Sequence, residues 1–169
     1  MTEFQPISVC NVLYKKISKV LANRLKRVLP HLISEHQSAF PKGCLITYNI
    51  LVAFEILHYI NNHNLGSVGL MALKLDINKA YDRVEWSFLR DVMIQMGFND
   101  RWVALQMECI SSVTYSLLIN EEPTGNIKPS QGIRQRDPLS PYLFLLCSDG
   151  LHRMIKKVAG NGDIQGVSI

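Results

Sequence analysis

The sequence predicts an α+β fold in which helices pack on a small, mostly antiparallel sheet. Three observations carry this expectation. Five stretches read as helices, the run Val68–Leu75 is apolar and of strand length, and Thr114–Pro129 has a strand–turn–strand pattern. The composition suits a folded chain, since 47% hydrophobic against 19% charged residues leaves enough apolar surface to bury. A length of 169 residues fits one ordinary domain with a sizeable core.

Val12–Leu29 is the first helix, with Leu13, Ile17, Val20, Leu21, Leu25 and Val28 at helical spacing on one side and Pro30 as its terminator. Lys15, Lys16, Lys19, Lys26 and Arg27 gather on the other side. Such a stripe can track a phosphate backbone or serve only as a solvated face. His31–Cys44 is a connector broken by Pro41 and Gly43, and Ile46–Ile60 is a second helix striped by Ile50, Phe54, Leu57 and Ile60. A polar loop, Asn61–Gly66, leads into Val68–Leu75, which fits a buried strand that stops on Asp76. His58 and His63 have no carboxylate or cysteine at ligand spacing and are left as loop or helix-surface residues.

Asp82-Arg83-Val84-Glu85 has the spacing of a capping box, which predicts a helix running to about Met96 or Gly97 with Asp82 as its cap. Asn99-Asp100 starts the next, to about Ser111, with Trp102, Leu105 and Ile110 available for a core. Thr114–Asn120 is a strand, Glu121–Gly125 a turn and Asn126–Pro129 a short return. Leu139–Val158 is the last helix, with Ser140-Pro141 suited to its first turn and basic residues at its end. Gly160-Asn161-Gly162 stops it, and Asp163–Ile169 begins another strand. With no repeat, low-complexity tract or linker, the expectation is one domain.

Four cysteines, Cys10, Cys44, Cys109 and Cys147, form no CxxC pair and have no histidine at ligand spacing. Buried thiols in a reducing compartment are expected rather than a zinc site or disulfides. No run reaches membrane-spanning length, and Met1–Phe4 leads into no secretory leader, so an intracellular protein without membrane contact is expected. A net charge of +4 permits a nucleic-acid partner but does not require one. Oligomeric state is open.

The chemistry gathers on two stretches. At a strand exit, Asp76 would hold an oxygen ligand at the rim of a cleft, and Mg²⁺ bound to substrate phosphates needs only one or two such carboxylates. Alternatively Asp76 begins a turn or caps a short helix. The second stretch is Gln131–Phe144. Leu75-Asp76…Ala80-Tyr81-Asp82 and Arg134-Gln135…Pro138-Leu139-Ser140-Pro141 together resemble palm motifs A and B of reverse transcriptases from non-LTR (LINE-type) retrotransposons, particularly plant ones. The flanks agree: Pro6-Ile7-Ser8-Val9-Cys10-Asn11, Leu21-Ala22-Asn23-Arg24-Leu25 and Gln37-Ser38-Ala39-Phe40. The resemblance covers nearly the whole chain.

That resemblance implies a partial right-hand polymerase, with residues 1–66 as fingers and 67–169 as part of the palm. It implies RNA-directed DNA synthesis with an RNA template, a DNA primer, dNTPs and Mg²⁺ in a two-metal site, and a nuclear location. Asp76 would be the catalytic metal ligand and the Ile77 backbone would help hold a phosphate-bound metal. Tyr81 would lie under the incoming sugar, or be an ordinary core aromatic. Gln135 and Arg134 would contact the nucleotide, Gln135 alternatively the template, while Ser140-Pro141 would start the helix behind the template. Asp82 is read as a helix cap in preference to a second metal ligand.

Several positions depart from the family pattern. Arg136 stands where Gly is usual, Gln5 where plant members have Arg, Cys44 where Arg is usual, and Tyr48 where Asp is common. The aspartate pair of motif C would fall after Ile169, which leaves Asp76 as the one catalytic carboxylate carried over. The expectation is therefore that these residues by themselves do not polymerise. A non-catalytic nucleic-acid-binding remnant and a decayed reading frame without function are the alternatives.

Overall fold

The computed structural model describes residues 11–34, 46–62, 71–74 and 76–164. Among them the elements run α1 (Val12–Leu32), α2 (Ile46–Asn62), α3 (Trp86–Gln95), α4 (Asp100–Ser111), β1 (Tyr115–Ile119), β2 (Glu122–Ile127) and α5 (Ser140–Gly160). Local chemistry explains their ends. The side chain of Asn11 accepts from the Tyr14 N–H (2.7 Å) and that of Asn99 from the Arg101 N–H (3.0 Å), each satisfying a donor that a helix start leaves open. Pro141 sits in the first turn of α5, where a missing N–H costs nothing. Gly97, at φ +82°, closes α3 while the Phe98 N–H bonds back to the Met93 carbonyl (3.1 Å).

The core lies between helices. α5 packs on α3 and on α1, and α3 packs on α4. Leu89, Met93, Leu143 and Leu146 are fully buried there, and burying each is worth about 2 kcal/mol. At Gly150 the helices come close: a Cβ would lie 2.6 Å from Cγ2 of Val92. No helix of the described residues is long and apolar enough to cross a membrane.

Two buried aspartates tie the ends of α1 to the last third of the chain. Asp137 accepts from the hydroxyls of Tyr14 (2.6 Å) and Ser18 on α1, and from the Leu139 N–H (2.9 Å). Asp149 on α5 accepts from the Ser34 N–H (2.9 Å) just beyond α1, and from Arg153 Nε one turn along its own helix (2.6 Å). Arg153 also donates to the Leu32 carbonyl.

Several expectations are corrected. The described residues form an α+β arrangement in which the helices pack on one another, and the sheet among them is a single antiparallel hairpin, exposed along nearly its whole length. Of the Val68–Leu75 strand, Met71–Lys74 is described, exposed and without strand pairing, because no described strand lies beside it to take its backbone bonds. Helix α1 runs past Pro30, since a proline in the last turn removes one ladder bond while the Ile33 N–H still bonds the Leu29 carbonyl (3.0 Å). Its buried side holds Ser18, Leu21, Ala22, Leu25 and Leu29, whereas Leu13, Ile17, Val20 and Val28 are exposed. Leu105, offered to the core, is exposed too, and Val103, Gln106, Cys109 and Ile110 are buried in α4 instead.

The hairpin turns sooner than Glu121–Gly125. Asn120 and Glu121 both have positive φ (+51° and +69°), and Ile119 pairs with Glu122, so a two-residue turn suits the twist of the strands. His63, the loop beyond Asn62 and the connector from Glu35 lie outside the described residues, as do Gln5, Cys10, Cys44 and residues 165–169 of the last strand expectation.

Candidate active site

Residues 81–84, which follow Asp76 in the chain, and residues 131–133, which precede Gln135, are brought together by hydrogen bonds to backbone carbonyls. Residues 78–83 turn tightly: the Asp82 N–H bonds the Lys79 carbonyl (2.9 Å), the Arg83 N–H bonds the Ala80 carbonyl (3.3 Å), and Lys79 has φ +53°. The turn exposes carbonyls, and residues 131–133 use them. The Ile133 N–H bonds the Tyr81 carbonyl (2.9 Å), the Gly132 N–H bonds the Val84 carbonyl (2.8 Å), and Gln131 Nε2 donates to the Asp82 carbonyl (3.2 Å). Trp86 Nε1 answers by donating to the Gly132 carbonyl (2.7 Å). This docking is why the Asp82 capping box does not form. Val84 and Glu85 stay outside the helix, α3 starts at Trp86, and its N-cap Glu85 makes no side-chain cap bond.

Asp76 and Ile77 are exposed and belong to no regular element, just before that turn. Tyr81 is half-buried, its ring stacked on Phe144 of α5 with centroids 5.1 Å apart, and burial pushes its phenol pKa up. Gln135 is half-buried in a turn with Arg136, which is exposed. Arg134 places its guanidinium over the Tyr14 ring (4.1 Å to the centroid) and nearer the edge of reach of the Tyr115 ring (6.0 Å). Ser140 is buried and Pro141 half-buried at the start of α5. Lys15, Lys16, Lys19, Lys26 and Arg27 are all exposed on α1.

Arg136 has φ +64°, in the left-handed region where a side chain crowds its own backbone. Arg136→Gly is therefore expected to stabilise the chain by about 0.5–1 kcal/mol. Urea denaturation reads this directly; an unchanged or lower midpoint would mean that the conformation costs nothing.

Residues that sequence reasoning missed are Tyr14, Ser18, Asp137 and Asp149. Their partners lie 115 to 123 residues away, except for local bonds, so no spacing in the sequence marks them. Burial, together with the Asp137 carboxylate, holds the Tyr14 phenol well above its usual range. Cys147 is pushed up to about 12 by burial, and Cys109 is raised by burial and then by Asp137, so both buried thiols stay protonated and inert.

A Mg²⁺ clamp needs converging carboxylates. Among the described residues no group of three or more His, Cys, Asp or Glu side chains comes together. Asp76 alone does not supply the ligands of a two-ion site.

A family model described as reverse transcriptase (RNA-dependent DNA polymerase) matches residues 1–167. The chain is 29% identical over 91% of its length to the Transposon TX1 uncharacterized 149 kDa protein of Xenopus laevis. It is 26% identical over 94% of its length to the Retrovirus-related Pol polyprotein from type-2 retrotransposable element R2DM of Drosophila melanogaster. It spans only 12% and 14% of those two relatives. An uncharacterized mitochondrial protein of Arabidopsis thaliana is 42% identical over 31% of this chain and 43% of its own length.

Proposed function

Because this chain belongs to the reverse transcriptase (RNA-dependent DNA polymerase) family, as a domain of the non-LTR retrotransposon kind, we propose that it is part of a LINE-type RNA-directed DNA polymerase. Residues 1–66 are its fingers and 67–169 part of its palm. The family binds an RNA template, a primer and dNTPs, and is generally Mg²⁺-dependent. In this reading Asp76 is the metal-ligating carboxylate, with the Ile77 backbone beside it. Tyr81 lies under the incoming sugar, and Arg134 and Gln135 serve the nucleotide, Arg134 through its seat on Tyr14. The nucleus is the compartment that this activity implies.

What supports the reading is one contact. The turn that carries Tyr81 and Asp82 is bonded through its carbonyls to residues 131–133, four positions or fewer before Gln135. Two segments about fifty residues apart in the chain thus form one unit, as a site that binds metal and nucleotide together requires.

Residues 1–169 alone are expected not to extend a primer, because Asp76 is their single proposed metal-ligating carboxylate and Arg136 occupies the turn beside Gln135. Purified chain is assayed for Mg²⁺-dependent extension of a DNA primer on RNA. Extension that disappears in Asp76→Ala would overturn this expectation. Extension that appears in Arg136→Gly would place the block at the turn.

The exposed basic face of α1 favours a second reading, a nucleic-acid-binding role without catalysis. RNA affinity should then fall steeply with salt, with a shallower slope in Lys15→Gln/Lys19→Gln. No binding at low salt would rule it out.

A further inference from the structure

Asp137 is a carboxylate only 4% exposed, held by hydrogen bonds. Both its oxygens are occupied by neutral donors: Oδ2 by the Tyr14 hydroxyl (2.6 Å), Oδ1 by the Ser18 hydroxyl and the Leu139 N–H (2.9 Å). Capping a helix start needs only a single acceptor at the surface. Taking a carboxylate out of water costs several kcal/mol, which three hydrogen bonds offset only when their donors are held in place. The donors here come from two elements far apart in the sequence, so the carboxylate fixes one against the other.

Tyr14 does two things at once. Its hydroxyl bonds Asp137, while its ring face carries the Arg134 guanidinium, 4.1 Å from the centroid. Arg134 and Asp137 therefore both rest on one side chain of α1. The two residues between them, Gln135 and Arg136, make a turn with Arg136 at φ +64°. A turn fixed on both sides presents Gln135 in one orientation, and preorganised contacts of this kind are what a nucleotide site needs.

We propose that Asp137 and Tyr14 are positioning residues: together they clamp the Arg134–Asp137 turn to α1 and so set the orientation of Gln135 toward the nucleotide. The nucleotide half of this rests on the polymerase reading above; the clamp itself does not.

The test keeps the two apart. In the full chain, Tyr14→Phe retains the ring for Arg134 but removes the hydroxyl, and Asp137→Asn retains an acceptor for Leu139 with one donor in place of an oxygen. Hydrogen exchange of the 133–139 amides should speed by about tenfold in each variant, the factor that corresponds to one lost hydrogen bond. Exchange in the Leu89–Met93 core should change less than twofold, which a general loss of stability would not permit. Exchange at 133–139 within twofold of the parent would overturn the clamp.

Photolabelling by 8-azido-dATP with Mg²⁺ then reads the nucleotide half. Labelling of the 131–139 peptide in the parent, reduced at least severalfold in Tyr14→Phe, is the expected result. Equal labelling of parent and variant would overturn the positioning role. A parent that shows no label on this peptide would overturn the nucleotide assignment of the turn, with the exchange data still deciding the clamp.

Discussion

Gly132→Ala is expected to lower stability by about 3 kcal/mol, through two separate effects. The residue has φ +90°, where any Cβ strains the backbone, and the added atom would lie 3.1 Å from the Asp82 carbonyl oxygen and 3.2 Å from the Asp82 Cα. Those neighbours are backbone and cannot rotate away. They also belong to the segment whose Tyr81 and Val84 carbonyls accept from Ile133 and Gly132 respectively, so relief by separation would lengthen two hydrogen bonds. Gly125→Ala is the control. It has φ +76° with nothing within 4 Å of the new Cβ, so it carries the conformational cost without the contact. Urea midpoints at constant m compare the two. Equal losses would mean that contact with Asp82 is not what demands glycine at 132.

Asp149→Ala is expected to cost about 2–3 kcal/mol. The carboxylate is fully buried and receives the Ser34 N–H and Arg153 Nε, so its removal strands a backbone donor and ends a charge-assisted bond. Arg153 is 56% exposed, which lets water solvate it and keeps the loss below that of a wholly buried pair. Asp149→Asn separates the parts: one oxygen still serves Ser34, and about half the loss should remain. Arg153→Met should cost about as much as Asp149→Ala, because it leaves a fully buried carboxylate without its cation. Thermal and urea unfolding of the three variants check the order. An alanine variant as stable as the parent would show that the end of α1 is held by packing alone.

Local patterns made much of the fold legible. Asn11 and Asn99 cap helices because an amide oxygen close to open N–H groups needs no distant partner. Ser140-Pro141 opens α5 for a similarly local reason. Asp82 misleads because its spacing to Glu85 satisfies the same local rule, while residues 131 and 132 take the Asp82 and Val84 carbonyls that a helix starting there would use in its own ladder. On α1 the hydrophobic stripe was read one residue, or about 100°, away from the side that is buried. Ser18 is polar and Tyr14 amphipathic, so neither marks a core position in the sequence, yet Ser18 is buried and Tyr14 half-buried where Asp137 accepts their hydroxyls.

The sequence by itself determined where helices and the hairpin lie, and which motifs mark the reverse transcriptase family, since both depend on residues within a few positions of one another. The tertiary structure alone decided which face of α1 is buried, why glycine is needed at 132, and that the 78–83 turn docks on 131–133. Those outcomes depend on bonds between residues some 50 to 120 positions apart, such as Gln131 to Asp82 and Tyr14 to Asp137. No local period encodes such a partner, and a buried polar group is tolerated only when the folded chain brings it one.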